Sequence, residues 1–293
     1  MSRAQAKVVG RAPSLGRAKL SGLEIYAEGL DHPECVAWGP DGALYAGGEL
    51  GQIYRIDPQT RRPEEIARTG GFVLGIAFNK KGDLFICDFK LPAVMRLDRQ
   101  GRLECFCEAV NDEQIKVPNF ASFHPDGSLF VSDSGQWKTA STGRVFRLTP
   151  DGRGSLFIDG LAFANGLAVD PTGKYLYIVQ STARNVLEVA INPDGTAGRR
   201  RVYASNLQVV PDGLAFDQAG NLYCSCYAPS VVYKISPRRQ VTVAYYDPEN
   251  TLLAATTNLA FGGADWRDVF IANLGRWHIT HFRSQVPGVP LPL

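Results

Sequence analysis

The sequence predicts an all-β protein, a six-bladed β-propeller with four-stranded antiparallel blades, and three observations lead to this prediction. A turn signal followed by a short apolar strand recurs six times along the 293 residues. A large apolar residue ends the strand before each turn, at intervals of 40 to 47 residues. Most copies continue into a third strand and a more polar fourth strand. Short strands repeating with a period of about 45 residues are typical of propeller blades.

The six copies can be read directly from the chain. The turn and second strand appear as GPDGALYAGG, NKKGDLFICD, HPDGSLFVSD, DPTGKYLYIV, DQAGNLYCSC and GGADWRDVFIA. The large apolar residues before them are Trp38, Phe78, Phe123, Val169, Phe216 and Phe261. The third strands follow as QIYRID, AVMRLD, RVFRLT, NVLEVA, VVYKIS and WHITHF. Fourth strands follow several of these, for example EEIART and RVYAS.

The two ends of the repeat predict how the ring closes. The last copy stops after its third strand, whereas an unassigned strand, LEIYAEG at 23–29, precedes the first copy. We expect this N-terminal strand to complete blade six and so protect an otherwise open edge. One domain is therefore predicted over residues 21–293. Residues 1–20 contain five basic and no acidic residues and are predicted to form a disordered basic tail.

Composition narrows the classes of function. A net charge of +2 gives no reason to expect a nucleic-acid partner. No run of about 18 apolar residues is present, so no membrane span is expected. The six cysteines include CFC and CSC pairs, whose spacing is not that of a zinc site. We expect reduced, mostly buried thiols in a cytoplasmic protein that is a monomer or a weak homo-oligomer. A targeting role for the basic tail is the alternative to a solvated one.

One position of the repeat carries polar side chains where an apolar strand begins. Four residues before each large apolar residue stand Glu34, Leu74, Asn119, Asn165, Asp212 and Thr257. These positions are equivalent, so each is predicted to face the central channel at the same end. Asn and Asp at single loop ends often only cap turns, but four polar residues in one register favour a shared site. Two carboxylates and two amide carbonyls form an all-oxygen donor set for one divalent ion. Ca²⁺ is favoured, and Mg²⁺, Mn²⁺ and Zn²⁺ are alternatives.

Several segments resemble a known family of propellers. HPECVAW, VPNFASFHPDG, FANGLAVDPTGKYLY, VPDGLAFDQAGNLYCSCY and TNLAFGG are similar to motifs of the senescence-marker-protein, gluconolactonase and luciferin-regenerating-enzyme family. The likeness spans roughly residues 23–285 and implies a six-bladed propeller with a catalytic divalent metal. Carried over by position, Glu34, Asn165 and Asp212 match its metal ligands. Asn119 matches a residue that binds metal in some members and substrate in others. Asp212 also matches the proposed general base or nucleophile.

The resemblance and the site together predict a metal-dependent hydrolase of a small molecule, foremost a lactonase. Val117 stands where sugar lactonases of the family often carry Arg, which argues against a sugar lactone. We expect substrate contacts from Asn258, Phe120, Trp137 and Tyr227, and aromatic side chains favour an apolar substrate. The alternatives are phosphotriesterase or arylesterase activity on the same metal, and a non-catalytic propeller. Strictosidine-synthase-like propellers, whose plant members need no metal, are also resembled, more weakly, by HPECVAWGPDG and QVPGVPLPL.

Overall fold

The chain forms six blade sheets, each with four antiparallel strands, and one of them gains a fifth strand; the computed structural model describes residues 10–290. In chain order the strands are β1 (Gly10–Arg11), β2 (Glu24–Glu28), β3 (Cys35–Trp38), β4 (Leu44–Gly47), β5 (Gln52–Ile56), β6 (Pro63–Arg68), β7 (Val73–Phe78), β8 (Leu84–Asp88), β9 (Ala93–Leu97), β10 (Leu103–Cys107), β11 (Ala109–Val110), β12 (Glu113–Gln114), β13 (Pro118–Phe123), β14 (Leu129–Asp133), β15 (Gly143–Leu148), β16 (Gly154–Leu161), β17 (Ala164–Val169), β18 (Tyr175–Gln180), β19 (Asn185–Ile191), β20 (Ala197–Ser205), β21 (Pro211–Phe216), β22 (Leu222–Cys226), β23 (Ser230–Ile235), β24 (Val241–Asp247), β25 (Thr256–Gly262), β26 (Asp268–Asn273) and β27 (His278–Arg283).

The sheets are the blades of a propeller. Blades one to five are β3–β6, β7–β10, β13–β16, β17–β20 and β21–β24, and blade six combines β25–β27 with β2. The first strands of the blades contact one another in the cyclic order β3, β7, β13, β17, β21, β25 and back to β3. They are therefore the inner strands around a central channel. The six-bladed prediction is confirmed.

The ring closes through the N-terminal strand, as the repeat predicted. β2 pairs antiparallel with β27, with Glu24 opposite His281. Tyr26 packs edge-on against Phe270, with ring centroids 4.7 Å apart. The carboxylate of Glu24 also accepts a hydrogen bond from Arg61 of blade one at 3.2 Å. One strand near the N-terminus therefore joins the last blade to the first.

Apolar side chains between neighbouring blades form six separate clusters, one for each interface. The large residues that end the inner strands contribute to them: Trp38 stacks on Phe270 across the closure at 5.5 Å. Each blade therefore buries both of its faces against neighbours, as expected for a propeller in which every sheet is covered on two sides. Five of the six free cysteines are buried, as the sequence predicted, whereas Cys105 is exposed.

Part of the N-terminal segment differs from the expectation of a disordered tail over residues 1–20. β1 pairs in parallel with β20 on the outer edge of blade four. Ala12 is buried in the cluster between blades four and five, and Lys19 forms a bridge with Tyr246. The physical reason is that this segment forms backbone hydrogen bonds with the open edges of outer strands. Composition carries no information about such backbone pairing. Residues 1–9 lie outside the described residues.

The connection between blades two and three contains a short hairpin. β11 and β12 pair antiparallel, and Ile115 directly after them is buried. Within residues 10–290, no helix is both long and apolar enough to cross a membrane.

The closing strand should be a major source of stability. We expect Tyr26→Ala to lower the free energy of unfolding by about 3–5 kcal/mol, because it removes a buried aromatic ring. Ile25→Ala is the matched control, since Ile25 lies on the same strand with 36% of its surface exposed, and it should cost much less. Urea denaturation of both variants measures the difference. Equal losses would show that Tyr26 does not secure the closure.

Asp247 organises the loop that leads into the inner strand of blade six. Its Oδ2 accepts backbone hydrogen bonds from Thr251, Leu252 and Leu253 at 2.8 to 3.0 Å. Burial alone raises the pKa of Asp247, but the backbone hydrogen bonds from Leu253 and Leu252 outweigh it and leave the pKa lowered. A lowered folded-state pKa contributes stability above the unfolded-state pKa, and this stability is lost as the pH falls towards the folded-state value.

We therefore expect Asp247→Asn to cost about 2 kcal/mol at pH 7, because hydrogen bonds to a buried charge are lost. The cost should shrink as the pH is lowered and the wild-type carboxylate itself becomes protonated. Urea denaturation at neutral and at acid pH measures it. Asp194→Asn is the control, since Asp194 accepts a similar bond in an exposed turn, and it should cost less. A cost for Asp247→Asn that does not change with pH would contradict this account.

Candidate functional site

Four polar side chains lie where four inner strands begin. Glu34 directly precedes β3, and Asn119, Asn165 and Asp212 are each the second residue of β13, β17 and β21. All four are more than nine-tenths buried. Because the blades share one topology, the inner strands all begin at the same end of the channel. We call this end the entrance of the channel.

Neighbouring inner strands approach closely at this level. Gly166 follows Asn165, and a Cβ at Gly166 would overlap the carbonyl oxygen of Asp212 on the next blade. Gly213 follows Asp212, and a Cβ there would lie 2.7 Å from the carbonyl oxygen of Thr257. Glycine is required at both places because any side chain would force the blades apart. The narrow channel brings side chains from different blades together.

The two carboxylates of this group influence each other. Burial raises the pKa of Glu34 well above its usual range, and the negative charge of Asp212 raises it further. Burial likewise raises the pKa of Asp212, although a hydrogen bond from the Asn165 side chain opposes the shift. Three of the four predicted residues, from blades one, four and five, are therefore in electrostatic or hydrogen-bonding contact. Asn119 occupies the equivalent place on blade three and is buried.

Two oxygen atoms of the group have unsatisfied bonding capacity. Glu34 Oε2 and Asn165 Oδ1 are both buried without a hydrogen-bond partner. Across residues 10–290, neither Glu34 nor Asp212 takes part in an ion pair. A buried polar atom without a partner costs roughly 1–3 kcal/mol, and a charged one costs more. A hard divalent cation would satisfy these oxygen atoms, so the residues fit such an ion.

The donor set depends on amide groups as well as carboxylates. No cluster of three or more His, Cys, Asp or Glu side chains suited to a metal occurs within the described part of the chain. Glu34 and Asp212 contribute only two carboxylates, so Asn165 and Asn119 would have to complete the set. A metal site made of these four residues stays a prediction of the repeat register.

The structure reveals two hydroxyl groups whose contacts the sequence did not predict. Thr257 Oγ1 donates to the backbone carbonyl of Glu34 at 2.6 Å and so links blade six to blade one beside the site. Ser181 Oγ accepts a hydrogen bond from Asn165 Nδ2 at 3.2 Å. Neither contact is visible in the sequence, because each joins residues that are far apart in the chain. The available signal was their place in the repeat, since Thr257 is the second residue of an inner strand and Ser181 directly follows a second strand.

The four residues predicted to contact substrate lie at two depths. Tyr227 lies at the entrance; burial raises the pKa of its hydroxyl, and the charges of Glu34 and Asp212 raise it further. Trp137 is partly exposed and packs edge-on against Phe163 at 4.7 Å. Asn258 and Phe120 instead are buried and line a cavity of about 440 Å³ in the channel. Phe120 and Asn258 therefore lie deeper in the channel than Trp137 and Tyr227.

Exposed apolar side chains concentrate around the same entrance. They lie in the turns between the second and third strands of five blades: Leu50, Phe89, Leu91, Trp137, Tyr227 and Trp277. We call these six residues the apolar rim. Such side chains lose free energy by remaining in water, so a concentrated group favours contact with another apolar surface.

One family matches most of the chain. The sequence profile described as the SMP-30/Gluconolactonase/LRE-like region matches residues 22–274. The chain belongs to this family. The match covers all of blades one to five and ends within blade six.

Members and relatives of the SMP-30/gluconolactonase family are similar at low identity. A gluconolactonase of Zymomonas mobilis is 26% identical over 183 residues, which cover 56% of this chain and 51% of that protein. The 6-deoxy-6-sulfogluconolactonase of Pseudomonas putida is 24% identical over 290 residues, covering 89% and 94%. Strictosidine synthase-like 6 of Arabidopsis thaliana is 24% identical over 231 residues, covering 72% and 61%. The chain thus spans about half the Zymomonas protein and nearly all of the Pseudomonas protein.

A solved structure supports the same architecture. The calcium-binding protein regucalcin from Agrobacterium tumefaciens superposes with a TM-score of 0.76 at 17% identity, covering 98% of this chain and 99% of that one. At this level of identity the likeness concerns the fold.

Proposed function

We propose that this protein is a metal-dependent hydrolase that opens the ring of a lactone. The observation that carries the proposal is the buried group of Glu34, Asn165 and Asp212 at one end of the channel, in which Glu34 Oε2 and Asn165 Oδ1 lack hydrogen-bond partners. Membership of the SMP-30/gluconolactonase family supports it. So do relatives named gluconolactonase and 6-deoxy-6-sulfogluconolactonase.

Glu34, Asn165 and Asp212 would hold one divalent ion, with Asn119 as a fourth donor or a substrate contact. Ca²⁺ is favoured because all the donors are oxygen atoms. A structural neighbour described as a calcium-binding protein supports this choice. When bound, such an ion polarises the lactone carbonyl and stabilises negative charge on its oxygen.

Asp212 is the residue to which we assign a chemical role. Burial raises the pKa of its carboxyl in the metal-free protein, whereas a bound cation lowers the pKa of a carboxyl that it contacts, so its role rests on its position beside the site. As a general base it would take a proton from water as the water oxygen bonds to the carbonyl carbon. The bond from that carbon to the ring oxygen then breaks, and the ring oxygen receives the proton. Direct attack by the Asp212 carboxylate, followed by hydrolysis of the resulting ester, is the alternative.

The surroundings favour a lactone with an apolar substituent. Tyr227 and Trp137 belong to the apolar rim, and Phe120 lines the channel beyond the site. Asn258 contributes a buried amide to the channel wall and is suited to orienting a polar substrate atom. Val117, at the start of the inner strand of blade three, offers no hydrogen bond to sugar hydroxyl groups.

Asp212→Asn should abolish lactone hydrolysis, because it removes the base or nucleophile, while some metal binding is retained. Turnover of a panel of lactones and aryl esters, together with metal analysis, measures both effects. Asp217→Asn is the control, since Asp217 is buried at the far end of the same hairpin, and the folded variant should keep its activity. Full activity of Asp212→Asn would eliminate the assigned role.

Chelation of the wild-type protein should stop turnover, and added Ca²⁺ should restore it, because the proposed ion activates the carbonyl. The same substrate panel measures the effect. Chelator-insensitive turnover would contradict the proposal and favour a metal-independent reaction of the strictosidine-synthase-like kind. Hydrolysis of phosphotriesters without lactones would favour the alternative hydrolase.

Loss of rim aromatics should affect apolar substrates selectively. We expect Tyr227→Ala and Trp137→Ala to raise KM about 3- to 10-fold for lactones with an alkyl or aryl substituent, because aromatic contact area is lost. KM for an unsubstituted small lactone should change little. Tyr175→Ala is the control, since Tyr175 is similarly exposed but begins β18 at the opposite end of its blade. A uniform rise for all substrates would argue against an apolar specificity.

A further inference from the structure

We propose that Ser181 is a positioning residue that fixes the rotation of the Asn165 amide, so that Oδ1 rather than Nδ2 is presented to the metal. The inference rests on the proposed function, because it concerns the same donor set. Ser181 follows β18 directly and is almost completely buried beside Asn165.

The direction of the hydrogen bonds carries the argument. Ser181 Oγ donates its single proton to the backbone carbonyl of Pro211 at 2.8 Å. A carbonyl oxygen can only accept, so the hydroxyl group must act as an acceptor towards Asn165. Only Nδ2 of the amide can donate to it, and the observed contact of 3.2 Å joins these two atoms. The opposite rotation would place two acceptors against each other.

The other end of the amide is then free for a cation. Asn165 Oδ1 is buried and has no hydrogen-bond partner. A neutral amide with its oxygen turned away from Ser181 provides the kind of donor that Ca²⁺ takes. With the amide reversed, its NH₂ group would meet the ion and repel it. The Ser181 hydroxyl thus favours the rotation in which Asn165 can be a ligand, and the Asp212 carboxylate, which also accepts a hydrogen bond from the Asn165 side chain, favours the same rotation.

Ser181 also connects two donors on different blades. The Pro211 carbonyl belongs to the peptide that leads into Asp212, whereas Asn165 lies on blade four. The Ser181 amide N–H donates to the Phe163 carbonyl at 3.1 Å, two residues before Asn165. Its side chain is therefore held between the strand starts that carry Asn165 and Asp212.

The repeat shows that the fold itself does not require serine at this position. The residue after the second strand makes the same backbone bond in other blades, where it is Phe89, Ser134, Tyr227 and Leu274. Aromatic and aliphatic side chains are thus compatible with the blade. Ser134, its equivalent on blade three, is buried with an Oγ that has no partner. Ser134 therefore provides a matched control in which no hydrogen bond is lost.

The test measures Ca²⁺ affinity of metal-free protein by calorimetry, independently of turnover. We expect Ser181→Ala to weaken Ca²⁺ binding by roughly 10- to 100-fold, the range found when residues that orient metal ligands are removed. Ser134→Ala should bind Ca²⁺ as the wild type does. Ser181→Cys fills the same space with a slightly larger thiol that hydrogen-bonds weakly, so it should lose affinity too. It provides the measurement if the alanine variant does not fold.

A change at Asn165 separates orientation from packing. In Asn165→Asp a carboxylate presents an oxygen atom in either rotation, so adding Ser181→Ala should no longer weaken Ca²⁺ binding. Persistence of the full loss in that background would overturn the role of Ser181. Equal losses from Ser181→Ala and Ser134→Ala, or no loss from either, would also overturn it while leaving the metal site intact. A wild-type protein that binds no Ca²⁺, Mg²⁺ or Mn²⁺ would overturn the metal site and this role together.

Discussion

The close approach of the inner strands around the channel is the constraint on which the site depends. Gly166 and Gly213 allow neighbouring strands to touch backbone to backbone at the level of the polar group. Thr257 adds a hydrogen bond across the closure between blades six and one. Because the ring is closed by β2 and filled by six inter-blade clusters, it cannot widen to relieve crowding at its centre. Residues spread over nearly 180 positions of sequence, from Glu34 to Asp212, therefore meet in one place.

This constraint has an electrostatic consequence. Glu34 and Asp212 are buried together with raised pKa values, and no ion pair within residues 10–290 compensates them. Folding alone would favour apolar residues at these places, as Leu74 shows at the equivalent position on blade two. Local conflicts of this kind are expected at functional sites, where the stability of the surrounding structure compensates for them. Asn165 is a further example of a buried group that is only partly satisfied. Its amide nitrogen donates to Ser181, whereas its amide oxygen has no hydrogen-bond partner.

Much of this arrangement could be predicted because a repeat turns sequence position into spatial position. The six turn-and-strand units predicted six blades, and the strand at 23–29 was correctly expected to complete the last one. Glu34, Asn165 and Asp212 were expected to meet because they share one register, and their mutual effects agree with that geometry. Residues 10–20 were misjudged, because their contacts with β20 and Tyr246 depend on backbone pairing rather than on composition. The depth of Phe120 in the channel could not be predicted, since register gives the strand but not the depth of a side chain.

The sequence by itself determined the number of blades, the strand that closes the ring and the four polar residues that share one register at the start of the inner strands. These follow from local periodicity, which needs no knowledge of distant contacts. Only the tertiary structure decided which donors touch, which atoms remain without partners and how the Asn165 amide is turned. The physical reason is that hydrogen-bond direction and burial are properties of atoms from different blades. The Ser181 hydroxyl can orient the Asn165 amide only because it donates its hydrogen bond to the Pro211 carbonyl of the next blade.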